Sequence, residues 1–302
     1  MKIWVEDGHA RDPACEPGGD RRIIRRASER RSRVSSHIPR RIIQTGKTSE
    51  LSLLAQASAV NARLLNPDFE YLYFTDQQVE AFIDEHFPQH RRVFDAFRVP
   101  IQKYDFFRYL AIYHLGGFYL DLDVLLAKPL TELLQFGCVF PFEQLSISAF
   151  LRHEYGMDWE VGNYAFGAAP GHPFLLALVD NCIRAQTDPR WVEDMMRKVP
   201  RLFRDDLFVL STTGPQLVSR TLAEFPDAEG HVKVLFPRDV CDRQSWFCFG
   251  SYGVHLMEGG WRTQRGLLRR RLMKDWQALM MKKTLKARRQ LPEPRALQFG
   301  RP

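Results

Sequence analysis

Nowhere in the 302 residues is there a run approaching the about 20 uninterrupted apolar residues that a membrane-spanning helix needs; the longest candidate, 109–120, is cut by His114, Gly116 and Gly117. An integral membrane protein is therefore not expected. The opening Met1-Lys2-Ile3-Trp4-Val5-Glu6-Asp7 has no apolar h-region, so no cleaved secretory leader is read there. The five cysteines (Cys15, Cys138, Cys182, Cys241 and Cys248) are scattered, odd in number and without a CxxC pair. That pattern argues against a disulfide framework and a zinc site, and it points to a reducing, cytoplasmic setting. Zinc-finger and RNP-like patterns are missing, as is the aromatic-basic interleaving of a stacking platform, so no nucleic-acid partner is expected despite a pI near 9.2. No internal repeat is present.

What is present is ordinary globular material, 45% hydrophobic and 26% charged, enough for a packed core in one domain with extensions. The net charge of +7 is unevenly placed. Residues 21–41 hold nine arginines against Glu29, and residues 262–289 hold eleven Lys or Arg against Asp275, so the remainder is net acidic. In the second segment Leu268, Leu272, Trp276, Leu279 and Met280 recur at helical spacing among basic residues. Such a helix suits an anionic membrane surface, with a peripheral seat on the cytoplasmic face, or packs on the domain as a terminal helix. The expected organisation is a basic extension over 1–37, a domain over 38–262, and a basic helix and tail over 263–302.

Between the basic ends, strand and helix signals alternate. Pro39–Thr45 reads as a short buried strand leading into a Leu/Ala-rich helix from Ser49 to about Asn66. Residues 71–74 read as a second strand, and Thr75 or Asp76 can cap a helix over 77–86. The strongly apolar helix 99–115 stops at Gly116-Gly117, and strand 118–120 ends in Asp121-Leu122-Asp123. Further on, residues 163–167 look strand-like, a helix is expected over 173–185, and 252–255 is the last core element. This βαβα order predicts an α/β fold with a mixed, mainly parallel sheet flanked by helices.

Ligands in open α/β sheets collect at the carboxyl ends of strands, which places Asp121 and Asp123 well for chemistry. Two carboxylates there can share a divalent cation, directly or through water, at the mouth of a nucleotide pocket; a solvated turn after a strand is the alternative. On the preceding helix Asp105 and Arg108 lie three residues apart, on one face, either as an acceptor and donor for a ligand or as a helix-surface ion pair.

The string Asp105-x-x-Arg108-Tyr109, then Gly116-Gly117-x-Tyr119-x-Asp121-x-Asp123, resembles the glycosyltransferases with a DXD sugar-binding region. That family includes fungal α-mannosyltransferases, sphingolipid mannosyltransferases and bacterial capsule enzymes, with the clostridial glucosylating toxins as distant relatives. Residues 38–46 look like the family's opening strand, and Gly171-His172-Pro173-Phe174 looks like its later helix start; the resemblance spans roughly 38–262. It implies a GT-A-like fold, a nucleotide-sugar donor (UDP-sugar or GDP-mannose), Mn²⁺ or Mg²⁺, and transfer with retention. By the same resemblance Asp123 would ligate the metal, and Asp121 would contact ribose, sugar or metal-bound water. Asp105, Arg108 and Asn163 would face the donor sugar, and Gln44, Thr45, Gly46 and Tyr119 would lie near the nucleotide.

The family's terminal His-x-x-x-x-Ser-Trp is matched by His255 and Trp261, with Gly260 where the pattern has serine. There the His would complete the metal site, with Glu258 as a second candidate, and the Trp would cover the leaving phosphate. Ser211-Thr212-Thr213-Gly214-Pro215 resembles a Gly-Pro loop near the acceptor side, or is a plain helix-initiating turn. The expected activity is metal-dependent, retaining hexosyl transfer to a glycan or lipid-linked acceptor. Two other readings are a toxin-like enzyme that glycosylates a protein, and a membrane- or nucleic-acid-binding protein that uses its basic ends.

Overall fold

A computed structural model describes residues 37–258 and 267–289. The basic extension expected over 1–37 lies outside the described residues except for His37.

The first half follows the expected alternation. Strand β1 (Arg41–Thr45) leads to helix α1 (Leu53–Leu65), whose first turn is capped by Ser52 Oγ accepting from the Ala55 amide at 3.3 Å. That cap sets the helix start later than Ser49. Strand β2 (Glu70–Phe74) is followed by α2 (Asp76–His86), where Thr75 and Gln78 form a reciprocal capping box. After the short α3 (Arg91–Asp95) comes α4 (Pro100–Leu115), which is apolar on nearly all sides because it is buried on nearly all sides.

Helix α4 ends at Gly116 (φ +66°), and β3 (Gly117–Leu120) begins at Gly117 (φ +109°). Both angles disfavour any residue with a Cβ, and at Gly117 a Cβ would lie 2.7 Å from the Arg41 carbonyl oxygen. The glycine pair thus lets β3 come against β1. The chain continues through β4 (Val124–Leu126), β5 (Cys138–Leu145), α5 (Ala149–Tyr155), β6 (Trp159–Val161) and β7 (Ala165–Ala168). Helices α6 (Pro173–Thr187), α7 (Pro189–Met196), α8 (Arg204–Thr212), α9 (Pro215–Glu224) and α10 (Ala228–His231) follow. Then come β8 (Lys233–Leu235), β9 (Gly253–His255) and α11 (Leu267–Arg289).

The seven-stranded sheet runs β2-β1-β3-β7-β5-β6, with β8 also pairing β5. It is mixed and flanked by helices, as expected, with parallel and antiparallel pairings equal in number rather than mainly parallel. The parallel pairings are β1–β2, β1–β3 and β5–β8; the antiparallel ones are β3–β7, β5–β7 and β5–β6. Alternate residues feed two cores: Ile43, Tyr119 and Phe140 face one, Ile42, Phe118 and Val139 the other. Antiparallel β4 and β9 form a separate two-stranded sheet.

Helix α11 packs on the domain. Met281, Thr284 and Arg288 are buried; Thr284 Oγ1 donates to the Ser146 carbonyl at 3.1 Å, Arg288 pairs with Asp158, and Trp276 lies against Phe203. Among the described residues no helix is long and apolar enough to cross a membrane.

Candidate active site

A cavity of about 880 Å³ opens at the carboxyl ends of β1 and β3. The turn after β1 contributes Gly46 and Lys47, helix α4 contributes Asp105 and Arg108, and the turn after β3 contributes Asp121 and Asp123.

Asp105 and Arg108 are not a helix-surface pair. Both are buried, 3.2 Å apart across one turn, and Arg108 also reaches Asp121 Oδ1 at 3.3 Å. Its guanidinium donates to the Asn163 carbonyl at 2.8 Å and lies 4.4 Å from the Tyr119 ring centre. Burial works against the charge of Arg108, but Asp121, Tyr119 and Asp105 outweigh it and hold the proton on. Burial pushes the Asp105 carboxyl up to about 6, and Arg108, a Thr213 hydrogen bond and an Asn163 hydrogen bond resist that rise. The two oxygens of Asp105 accept from Asn163 Nδ2 at 3.1 Å and from Thr213 Oγ1 at 2.7 Å.

Asp121 is held from several directions. Tyr119 donates to its Oδ1 at 2.8 Å, and its amide donates to the Tyr164 carbonyl at 2.7 Å. Asp123 owes its surroundings to β4–β9 pairing, which sets Val124 opposite His255. His255 Nε2 therefore stands 3.2 Å from Asp123 Oδ1, and the Glu258 amide donates to Asp123 Oδ2 at 3.0 Å. Burial disfavours ionisation of Asp123, but the His255 contact and the Glu258 amide prevail and hold the carboxyl below its usual range. The His255 ring stacks on Tyr164 at 4.4 Å, and its buried Nδ1 has no hydrogen-bond partner.

Asp121, Asp123 and His255 each offer a ligand atom within 4.8 Å of the others. Two carboxylates and an imidazole, with an orphaned ring nitrogen beside them, fit a divalent cation of the Mg²⁺ or Mn²⁺ kind. Glu258 approaches this cluster through its backbone amide and is among the residues that line the cavity.

Of the residues assigned to the nucleotide, Gly46 lines the cavity, whereas Gln44, Thr45 and Tyr119 lie beneath it. Gln44 is fully buried, donating to Ser58 Oγ at 3.2 Å and to the Asp121 carbonyl at 3.3 Å, and accepting from Tyr71 at 2.7 Å. Thr45 Oγ1 is 3.1 Å from the Tyr119 hydroxyl. These three brace Asp121 from behind. Asn163 lines the cavity, but its amide donates to Asp105 and to the Tyr109 hydroxyl at 2.9 Å. Trp261 and Gly260 lie outside the described residues.

Sequence reasoning passed over the far wall. Glu143, Gln144 and Glu160 come from β5 and β6, and Trp246 and Phe247 from the loop before β9. Glu160 is buried and accepts from Ser146 Oγ at 2.7 Å; its carboxyl is pushed up by burial against those hydrogen bonds. A lone glutamate between Trp159 and Val161 was the available signal. In the sequence Thr213 stands out only as part of the 211–215 loop. Gly214 and Pro215 line the cavity and also start α9, so the helix-initiating reading of that loop holds.

Comparison with known proteins agrees with the motif. Residues 55–140 match the family described as glycosyltransferase sugar-binding region containing DXD motif. The inositol phosphoceramide mannosyltransferase 3 of Schizosaccharomyces pombe is 32% identical over 68% of this chain and 52% of its own length. The mannosyl phosphorylinositol ceramide synthase SUR1 of Saccharomyces cerevisiae is 28% identical over 67% of this chain and 48% of its own. The chain thus spans about half the length of these curated relatives. Among solved structures, the PaToxG glycosyltransferase aligns with a TM-score of 0.44 at 14% identity, covering 88% of this chain and 86% of that one. The resemblance to DXD-region glycosyltransferases read from residues 105–123 is borne out by the family match and by the two fungal relatives.

Proposed function

We propose that this chain is a metal-dependent, retaining glycosyltransferase that moves a hexose from a nucleotide sugar to a glycan or lipid-linked acceptor. The names of its relatives favour mannose as the sugar and a lipid-linked acceptor. The observation that carries the reading is the Asp121–Asp123–His255 cluster at the cavity floor, backed by the buried Asp105–Arg108 pair.

Asp121, Asp123 and His255 are the residues that would hold the cation. A divalent cation there supplies positive charge to offset what develops on a diphosphate leaving group. Arg108, buried and ion-paired, keeps Asp105 and Asp121 in fixed orientation before any ligand arrives. Asp105, whose carboxyl Arg108 helps to keep charged against burial, can accept from sugar hydroxyls at the cavity wall. In retaining transfer the departing phosphate can take the acceptor proton on the same face, so no general base is assigned.

The test is thermal stabilisation and slow hydrolysis across UDP- and GDP-sugars, with Mn²⁺, with Mg²⁺ and with chelator. One donor should raise the melting temperature only with metal, and Asp123→Asn should abolish that rise and reduce turnover at least about 100-fold while its own melt without ligand stays near the parent's. Full turnover in Asp123→Asn, or no stabilisation by any donor, would refute the reading.

A further inference from the structure

Helix α11 divides its residues sharply between the domain and solvent. Toward the domain it turns Met273, Trp276, Met280, Met281, Thr284 and Leu285. Outward it exposes Arg271, Lys282, Lys283 and Lys286, none of which makes an ion pair among the described residues, against a single acid, Asp275. On that same outward face Leu272 and Leu279, two turns apart, are 43% and 50% exposed. The helix also walls the cavity: Lys274, Gln277 and Met281 line it together with Met257, which is half exposed at the rim beside the exposed Leu256. Uncompensated cations and solvent-exposed leucines therefore share one surface, and that surface borders the mouth of the site.

We propose that the outward face of α11, with Leu256 and Met257 at the rim, seats on an anionic membrane surface and so presents the cavity to an acceptor carried in the bilayer. The naming of a lipid-borne acceptor rests on the glycosyltransferase reading; the membrane contact does not. Charge complementarity selects the partner, because lysines around leucines are favourable where phosphate head groups meet acyl chains. A nucleic acid would match the cations equally well but would leave Leu272 and Leu279 without a purpose. The apolar side of α11 is already spent on the domain, so the contact is largely electrostatic and weakens with salt.

The experiment is cosedimentation of the full chain with phosphatidylcholine vesicles, with and without phosphatidylserine. Binding should require phosphatidylserine and decline as salt rises. Lys282→Gln/Lys283→Gln/Lys286→Gln should weaken partitioning by about 100-fold, since each cation near the surface adds roughly a factor of five. Leu272→Ser/Leu279→Ser should weaken vesicle binding several-fold and leave binding to an oligonucleotide unchanged. All five residues lie outside the cavity, so donor-dependent thermal stabilisation should match the parent's in both variants. Parental partitioning in the lysine variant overturns the proposal, as does binding to phosphatidylcholine alone. A lysine variant that loses oligonucleotide binding while keeping vesicle binding overturns it in favour of nucleic acid. Vesicle binding with no donor effect refutes the glycosyltransferase reading alone, whereas donor turnover without partitioning refutes this proposal alone.

Discussion

Thr213 and Asp105 stand 108 positions apart, yet the 2.7 Å hydrogen bond between them fixes one oxygen of a buried carboxylate. The same threonine is held in turn, because Tyr109 donates to its carbonyl at 2.7 Å and receives the Asn163 amide. Thr213 is thus a positioning residue, acting through Asp105. Thr213→Val keeps the shape and deletes the donor, at a cost of about 1–3 kcal/mol in stability. It should lower kcat about 10-fold or more, and Thr213→Ser should restore most of it. The lost bond favoured the charged carboxylate, so the acid limb of the kcat/KM profile should move to higher pH in Thr213→Val. A destabilised variant with parental kcat and an unmoved acid limb would assign Thr213 to packing alone.

At the level of elements, the start of α6 carries a pH dependence. His172 is its N-cap, with Nδ1 accepting from the Phe174 amide at 3.2 Å. Burial, with the nearby His231 second, depresses its pKa to about 4. In the unfolded chain the same imidazole titrates near about 6.5. Between those values the unfolded state binds a proton that the folded state refuses, so stability falls as pH drops through that window and is retained above it. The loss attributable to this residue is at most ~3 kcal/mol. His172→Asn keeps a cap acceptor without a titration, so urea midpoints at neutral pH and near the acid end of the window should differ less in the variant than in the parent. An unchanged gap would place the acid sensitivity elsewhere.

Elements of this kind were readable because their signals are local: Thr75 and Pro173 start helices, Gly116-Gly117 stops one, and α4 is rich in apolar residues. Strand β5 was not readable. Its Cys-Val-Phe-Pro-Phe run lacks alternation, and Pro141 argues against an interior strand, although β5 pairs with β6, β7 and β8. Strands β4, β6 and β8 are three residues each, too short to show a period. The site divides in the same way. Asp121 and Asp123 announce themselves at a strand end, but the proximity of His255 depends on the β4–β9 register, and the work of Gln44, Thr45 and Tyr119 beneath Asp121 depends on packing between distant elements.

Across the whole molecule, the sheet and α4 differ from α11 in how they are held. Phe106, Phe107, Tyr109, Ala111 and Ile112 of α4 are essentially inaccessible, and β3 is buried along its full length. Helix α11 buries only one stripe, and among the described residues its polar anchors are few: Thr284 to the Ser146 carbonyl, Arg152 to Thr284 at 3.3 Å, and Arg288 to Asp158. An element with so little buried surface opens at a lower free energy than the core it covers. Amides of α11 should therefore exchange with solvent well before those of α4 and β3, without global unfolding. Arg288→Ala removes a mostly buried ion pair and leaves Asp158 only the more distant Arg152 charge, so exchange in α11 should accelerate about 10-fold or more while α4 is unchanged. Because Lys274, Gln277 and Met281 wall the cavity, the same opening would widen the site, and donor-bound protein should show slower α11 exchange than free protein. Equal acceleration in α4 and α11 on Arg288→Ala would mean that helix and core unfold as one unit, and that the wall does not open independently.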